Sequence, residues 1–141
     1  ELSAAFLFGQ LGAIDVITEL RQQCFQRYLD ELQPLADQGR LQLPTIPEYC
    51  QSNYHLFHIL LPTQDIRDAL LKHLNSRGIH AVFHYVPLHS SPAGIRLSGE
   101  SVHLPVTDSI SARLLRLPIY PDLELELQHQ VVTEISSFLN A

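Results

Sequence analysis

Apolar positions set the elements. From the N-terminus, Leu7, Leu11, Ile14, Ile17, Phe25, Tyr28 and Leu32 fall at spacings of three, four and seven, one stripe of a long amphipathic helix. Ser3 is a natural N-cap, Pro34 marks a break or restart, and Gly39 suits the stop. "RLQLP" then reads as a short strand. In "NYHLFHILLP" both alternating sets, Tyr54, Leu56, His58, Leu60 and His55, Phe57, Ile59, Leu61, are largely apolar, which predicts a strand in mid-sheet. "TQDIRDALLKHLNSRG" is a helix capped by Thr63 or Asp65, with Ile66, Leu70 and Leu74 inward and Gly78 ending it.

The next stretch, "GIHAVFHYVPLH", reads as a second strand, with Ile79, Ala81, Phe83 and Tyr85 opposite His80, Val82, His84 and Val86. "LHSSPAGIRLSGESVHLP" has no period and predicts a long loop. Thr107 caps a short helix, "DSISARLL". "RLPIYP" is a strand suited to a sheet edge because of Pro118. The last helix lines up Leu127, Val131, Ile135 and Leu139, with Leu123 leading in. This order predicts an α+β fold: a small antiparallel or mixed sheet with helices on one face, preceded by a long N-terminal helix. Residues 1–38 form that helix and 39–141 the α+β domain.

Composition narrows the function. At 141 residues and net charge −6, with nine Lys and Arg scattered, no basic stripe points to nucleic acid or anionic lipid. No apolar run reaches the roughly 18 residues of a membrane span, and a cytoplasmic protein is expected. Cys24 and Cys50 read as reduced, partly buried thiols. The chain contains no methionine and opens in helical rhythm, so a piece of a longer protein is expected. The apolar stripe of its first helix predicts self-association, with a homodimer burying Leu7 and Leu11.

Histidines carry the candidate chemistry. In a strand, His80 and His84 would lie roughly 13 Å apart, too far to share a zinc whose bonds are about 2 Å, so no metal site is expected. Ser90 and Ser91 near His89 lack a nucleophile elbow, and "PAGIRLSGE" lacks the lysine of a phosphate loop. His58, His73, His80 and His129 read as tolerated surface groups. His84, Tyr85 and His89 flank a strand end where a loop begins, a place where scaffolds present binding groups, and both residue types donate hydrogen bonds to phosphate or hydroxyl groups.

"NYHLFHILLP", "RDALLKHLNSRGIHAVFHYVPLHSSPAG" and "LPVTDSISARLLRLPIYPDL", in that order, resemble the C-terminal part of the DegT/DnrJ/EryC1/StrS-type pyridoxal-phosphate-dependent nucleotide-sugar aminotransferases. Within them the likeness runs to members acting on dTDP-4-keto-6-deoxyglucose in enterobacterial common antigen synthesis. The combination of "HYVPLH" and "LRLPIYP" carries the specificity. The resemblance implies the small domain of a fold-type I aminotransferase, whose long helix leads from a missing large domain. It implies that His84, Tyr85 and His89, with His55 as a further contact, approach the sugar-nucleotide substrate. It also implies that this chain binds no cofactor and holds no catalytic residue: pyridoxal phosphate belongs to the intact enzyme. The single lysine, Lys72, reads as a solvated helix residue. The alternative reading is a free-standing α+β module that uses the 89–101 loop to hold a small ligand.

Overall fold

Leu114–Leu117 forms the central strand of the computed structural model, which describes residues 1–100 and 102–140. This strand, β3, pairs antiparallel with both β1 (Phe57–Leu60) and β2 (Val82–Phe83) in the order β1-β3-β2. The register sets Phe57 against Leu117 and Ile59 against Leu115, so the buried side chains of the two strands share one face. His58, Leu60, Leu114, Arg116 and Val82 take the opposite, half-buried face. Two expectations are reversed here. The segment expected in mid-sheet is an edge, touched on its outer side only by a single bridge from Gln42 to Leu60, and "RLQLP" forms no strand. The expected edge is the centre, because β3 ends at Leu117 and Pro118 follows it rather than interrupting it.

Helices cover the buried face, as the pattern predicts. The long helix is Ile14–Asp37 (α2), with Cys24, Phe25, Tyr28, Leu32 and Leu35 buried along one stripe and Pro34 accommodated in its last turn. Phe57 meets Phe25 edge-on, ring centroids 4.9 Å apart, and Tyr28 at the same separation. Upstream, the helical rhythm does not continue into α2. Leu2–Leu11 is a separate helix, α1, turned 70° from it. Gly12 is poor in a helix interior, and the Ala13 amide closes on the Gln10 carbonyl at 3.0 Å, ending the ladder early. Ser3 lies inside α1, whose N-cap position is Glu1 and has no side-chain cap.

Gln64–Ser76 (α3) starts where the sequence places it: the Thr63 side chain accepts the Ile66 amide, and Gly78 follows the helix at φ +77, a region that excludes most side chains. Leu125–Asn140 (α6) lies against α2 and α3. Gln128, fully buried, donates to the Cys24 carbonyl at 2.7 Å and accepts from Arg27 at 2.7 Å. Leu127, expected inward on α6, is exposed. His73, expected in solvent, is half-buried, with Nε2 2.8 Å from Glu134. Cys24 is buried and Cys50 exposed, rather than both half-covered.

The first part of the expected loop is helical between Leu88 and Ser98. A one-turn 310 helix, Leu88–Ser90, leads into Pro92–Ser98 (α4). Ser91 caps α4 by accepting the Gly94 amide at 2.9 Å, Pro92 sits in its first turn, and Gly99 ends it in a left-handed conformation. A side chain at residue 94 would bring its Cβ within 1.7 Å of the Leu88 carbonyl oxygen, so glycine is needed for this close approach. The next helix, α5, is Pro105–Arg113 and starts before Thr107, the expected cap.

Candidate functional site

Past β2 the chain loses its sheet partner. β2 ends at Phe83, opposite Leu115, so His84 and Tyr85 lie outside the ladder that the alternation extends to Val86. They turn instead into a cleft of about 440 Å³ whose far wall is α5. Val86, Val106, Ile110 and Leu114 line it with apolar surface, and Thr107 and Ser111 add hydroxyls. His84 Nδ1 is buried and has no hydrogen-bond partner among the described residues, a situation that costs free energy unless something else supplies one. Its ring packs against Tyr85 at 5.2 Å, and Tyr85 itself is 77% exposed.

His89 is placed differently. Its side chain is largely buried, with Nε2 2.6 Å from Asp108 Oδ1 on α5. Asp108 Oδ2 accepts the Leu104 amide at 3.1 Å and lies 2.7 Å from His103 Nδ1. The hydrogen bond from His89 leads in holding the Asp108 carboxyl below the usual carboxylate range, with the Leu104 amide and the charges of both imidazoles adding to it against some desolvation. The pair fastens the 310 turn, one wall of the cleft, to α5, the other.

His55 is not in this cleft. It lies at the start of β1 in a separate hollow of about 480 Å³ that also involves Phe25, Gln51, Ser52 and His58. Asn53 Oδ1 holds its ring at 2.9 Å, and its carbonyl accepts from Arg21. The residue between them, Tyr54, has φ +50, an uncommon conformation for a non-glycine residue. Of the four residues singled out from the sequence, His84 and Tyr85 thus share a cleft, His89 braces its wall, and His55 stands apart. His58 joins the group unexpectedly: burial, and secondarily the neighbouring His84, push its imidazole below the usual range. Asp108 was also missed. Its position one turn into α5, where a carboxylate reaches back to an amide, was the available signal.

The whole of residues 1–136 matches the model of the DegT/DnrJ/EryC1/StrS aminotransferase family. The chain belongs to this family. Over 137 residues it is 30% identical to dTDP-3-amino-3,4,6-trideoxy-alpha-D-glucose transaminase of Micromonospora megalomicea, covering 96% of this chain and 36% of that protein. It is 32% identical to the erythromycin biosynthesis sensory transduction protein EryC1 of Saccharopolyspora erythraea, covering 97% of this chain and 36% of the relative. The crystal structure of S. venezuelae DesV in complex with a ketimine intermediate superposes with a TM-score of 0.86 at 31% identity, over 98% of this chain and 36% of that one. The chain therefore spans about a third of the length of the relatives it matches.

Aminotransferases of the DegT/DnrJ/EryC1/StrS family use pyridoxal phosphate, and that cofactor asks for a lysine, a carboxylate at its ring nitrogen and a phosphate cup. The described residues do not fit it. Lys72, the only lysine, is exposed on α3 and lines neither the cleft nor the hollow at His55. Among the described residues no group of three or more His, Cys, Asp or Glu is placed to hold a metal ion. Among the described residues no single helix is long and apolar enough to cross a membrane.

Proposed function

We propose that this chain is the small domain of a sugar-nucleotide aminotransferase that aminates a dTDP-4-keto-6-deoxyhexose for a cell-surface polysaccharide. The family match over residues 1–136 carries the reading. The activity for which the Micromonospora relative is named, a dTDP-aminosugar transaminase, supports the substrate class. In this reading a large domain, outside these residues, brings the lysine and the cofactor. The cleft at His84 and Tyr85 faces the sugar nucleotide, with His89 at its edge and His55 as an outlying contact. The unpartnered Nδ1 of His84 supports this, since a ligand hydroxyl or phosphate oxygen would satisfy it.

The division of labour follows from chemistry. This domain binds and orients and excludes water, while the amino-group transfer proceeds on the cofactor held elsewhere. Helix α1, with Leu2, Phe6, Leu7, Phe8 and Leu11 all exposed and none of its residues buried, is read as the surface that the large domain covers.

The test is an assay of the complete protein with dTDP-4-keto-6-deoxyglucose and its 3-keto isomer, each with glutamate as amine donor. Formation of the 4-amino sugar supports the reading. The 3-amino product would move the reaction to the neighbouring carbon, and no amination of either would end it. Substituting His84 by Ala is expected to raise KM more than it lowers kcat, as loss of a ground-state contact does.

A further inference from the structure

Asp108 gathers three segments on one carboxylate: the 310 turn through His89, the 102–104 strand of chain through His103 and the Leu104 amide, and its own helix α5. The two imidazole contacts differ in kind. His103 is 79% exposed on its side chain, where water competes for the bond, whereas His89 is 11% exposed. A short contact of 2.6 Å with little water nearby fixes the imidazole that makes it.

We infer that Asp108 is a positioning residue: it orients the His89 ring with Nε2–H toward the carboxylate, so that whenever the ring carries one proton Nδ1 is left as an open hydrogen-bond acceptor. Nδ1 has no partner among the described residues and does not belong to their sealed, unpartnered atoms. A carboxylate selects the tautomer that donates to it, the way second-shell carboxylates orient imidazoles at reactive sites. The chemical consequence runs against a simple reading of the residue type. His89 so held accepts from an O–H or N–H group, such as a sugar hydroxyl, and has no proton to offer a phosphate oxygen. That ligand assignment rests on the cleft being a substrate site; the tautomer itself does not.

The experiment is long-range 1H–15N correlation of the histidine rings in this chain at pH 8, with His89 assigned by its absence in a His89→Gln variant. The expected pattern is a protonated Nε2 and bare Nδ1, favoured about tenfold, the ratio that a charge-assisted hydrogen bond sustains. Asp108→Ala should let the bias fall to the modest preference for the same tautomer that a free imidazole side chain has by itself, Asp108→Asn should leave it intermediate, and His103→Ala should leave it unchanged. Both nitrogens protonated at pH 8, the opposite tautomer, or a bias undiminished by Asp108→Ala in a folded variant would each overturn the inference. Should Asp108→Ala fail to fold, the unsubstituted spectrum and Asp108→Asn still decide it. A purely packing role would lower stability without moving the tautomer, and a failed assay of the whole enzyme would leave this spectrum untouched.

Discussion

Tyr28 Oη donates a hydrogen bond of 2.9 Å to the carbonyl of Pro118. The two residues are 90 positions apart, and the bond ties the middle of α2 to the residue that follows β3. The phenol is fully buried, and burial pushes its ionisation above the ordinary range, so it stays a donor at any pH the fold tolerates. Replacing Tyr28 by Phe keeps the ring packed on Phe57 but orphans a carbonyl. The expected loss is about 1–3 kcal/mol, read as a lower urea midpoint with an unchanged m-value.

Gly94→Ala tests the close approach of α4 to the 310 turn. The added Cβ must displace the Leu88 carbonyl, which is backbone and not a flexible side-chain end. Strain of about 1–3 kcal/mol is expected. It should appear as faster amide hydrogen exchange confined to residues 88–99, with the amides of β1 and β3 keeping their protection.

His58 sets an acid-side slope. Its folded pKa lies below the ordinary 6.5, mainly through burial. At higher pH both folded and unfolded chains carry it neutral, and it adds nothing to the pH dependence. As pH falls below about 6.5 the unfolded chain takes up a proton that the folded site resists, and stability declines until the folded pKa is reached. Asp108 acts lower down: its folded pKa is depressed below 3.8, so its contribution is complete above that value and is lost as pH drops through the folded one. Thermal melts of the unsubstituted chain and His58→Gln between pH 8 and 5 should converge at the acid end, the variant showing the shallower slope.

Lys72 should not act as a cofactor lysine. Titrating the chain with pyridoxal phosphate is expected to give no saturable visible absorption, and Lys72→Arg should behave identically, as for any exposed helix lysine. A saturable band that disappears with Lys72→Arg would overturn the assignment of the chemistry to another domain.

Helix α1 should drive association of this chain when it is produced alone. Its exposed Phe6, Leu7 and Phe8 form an apolar surface with no cover. Sedimentation should show concentration-dependent mass, and Phe6→Asp with Phe8→Asp should return the species to monomer without lowering its melting temperature.

Much of the fold was legible because burial writes a period into the sequence. Phe25, Tyr28 and Leu32 of the predicted stripe, the Thr63 cap and the Gly78 stop all follow local rules, and the structure keeps them, whereas Leu7, Leu11 and Ile14 of the same stripe are exposed. Helix α4 buries no residue, so it leaves no period, and only Ser91, Pro92 and Gly99 marked it. The place of each strand in the sheet was not legible either. Whether β1 or β3 is central depends on which segment finds two partners, a long-range matter that alternation within a strand does not encode. The same holds at the site. The pairing of His89 with Asp108 joins residues 19 apart on different elements, and nothing in either neighbourhood announces it. His84 and Tyr85 were visible as a polar pair at a strand end, but the end of β2 at Phe83, which leaves them off the ladder, was not.

The central position of β3 governs how the molecule comes into being. Neither β1 nor β2 pairs with the other; each waits for Leu114–Leu117. During synthesis, then, Leu114–Leu117 must leave the ribosome before any ladder of this sheet closes. Until that moment β1 and β2 offer bare edges to whatever is nearby, so a ribosome stalled short of Leu114 would release a product prone to clumping rather than a smaller working domain.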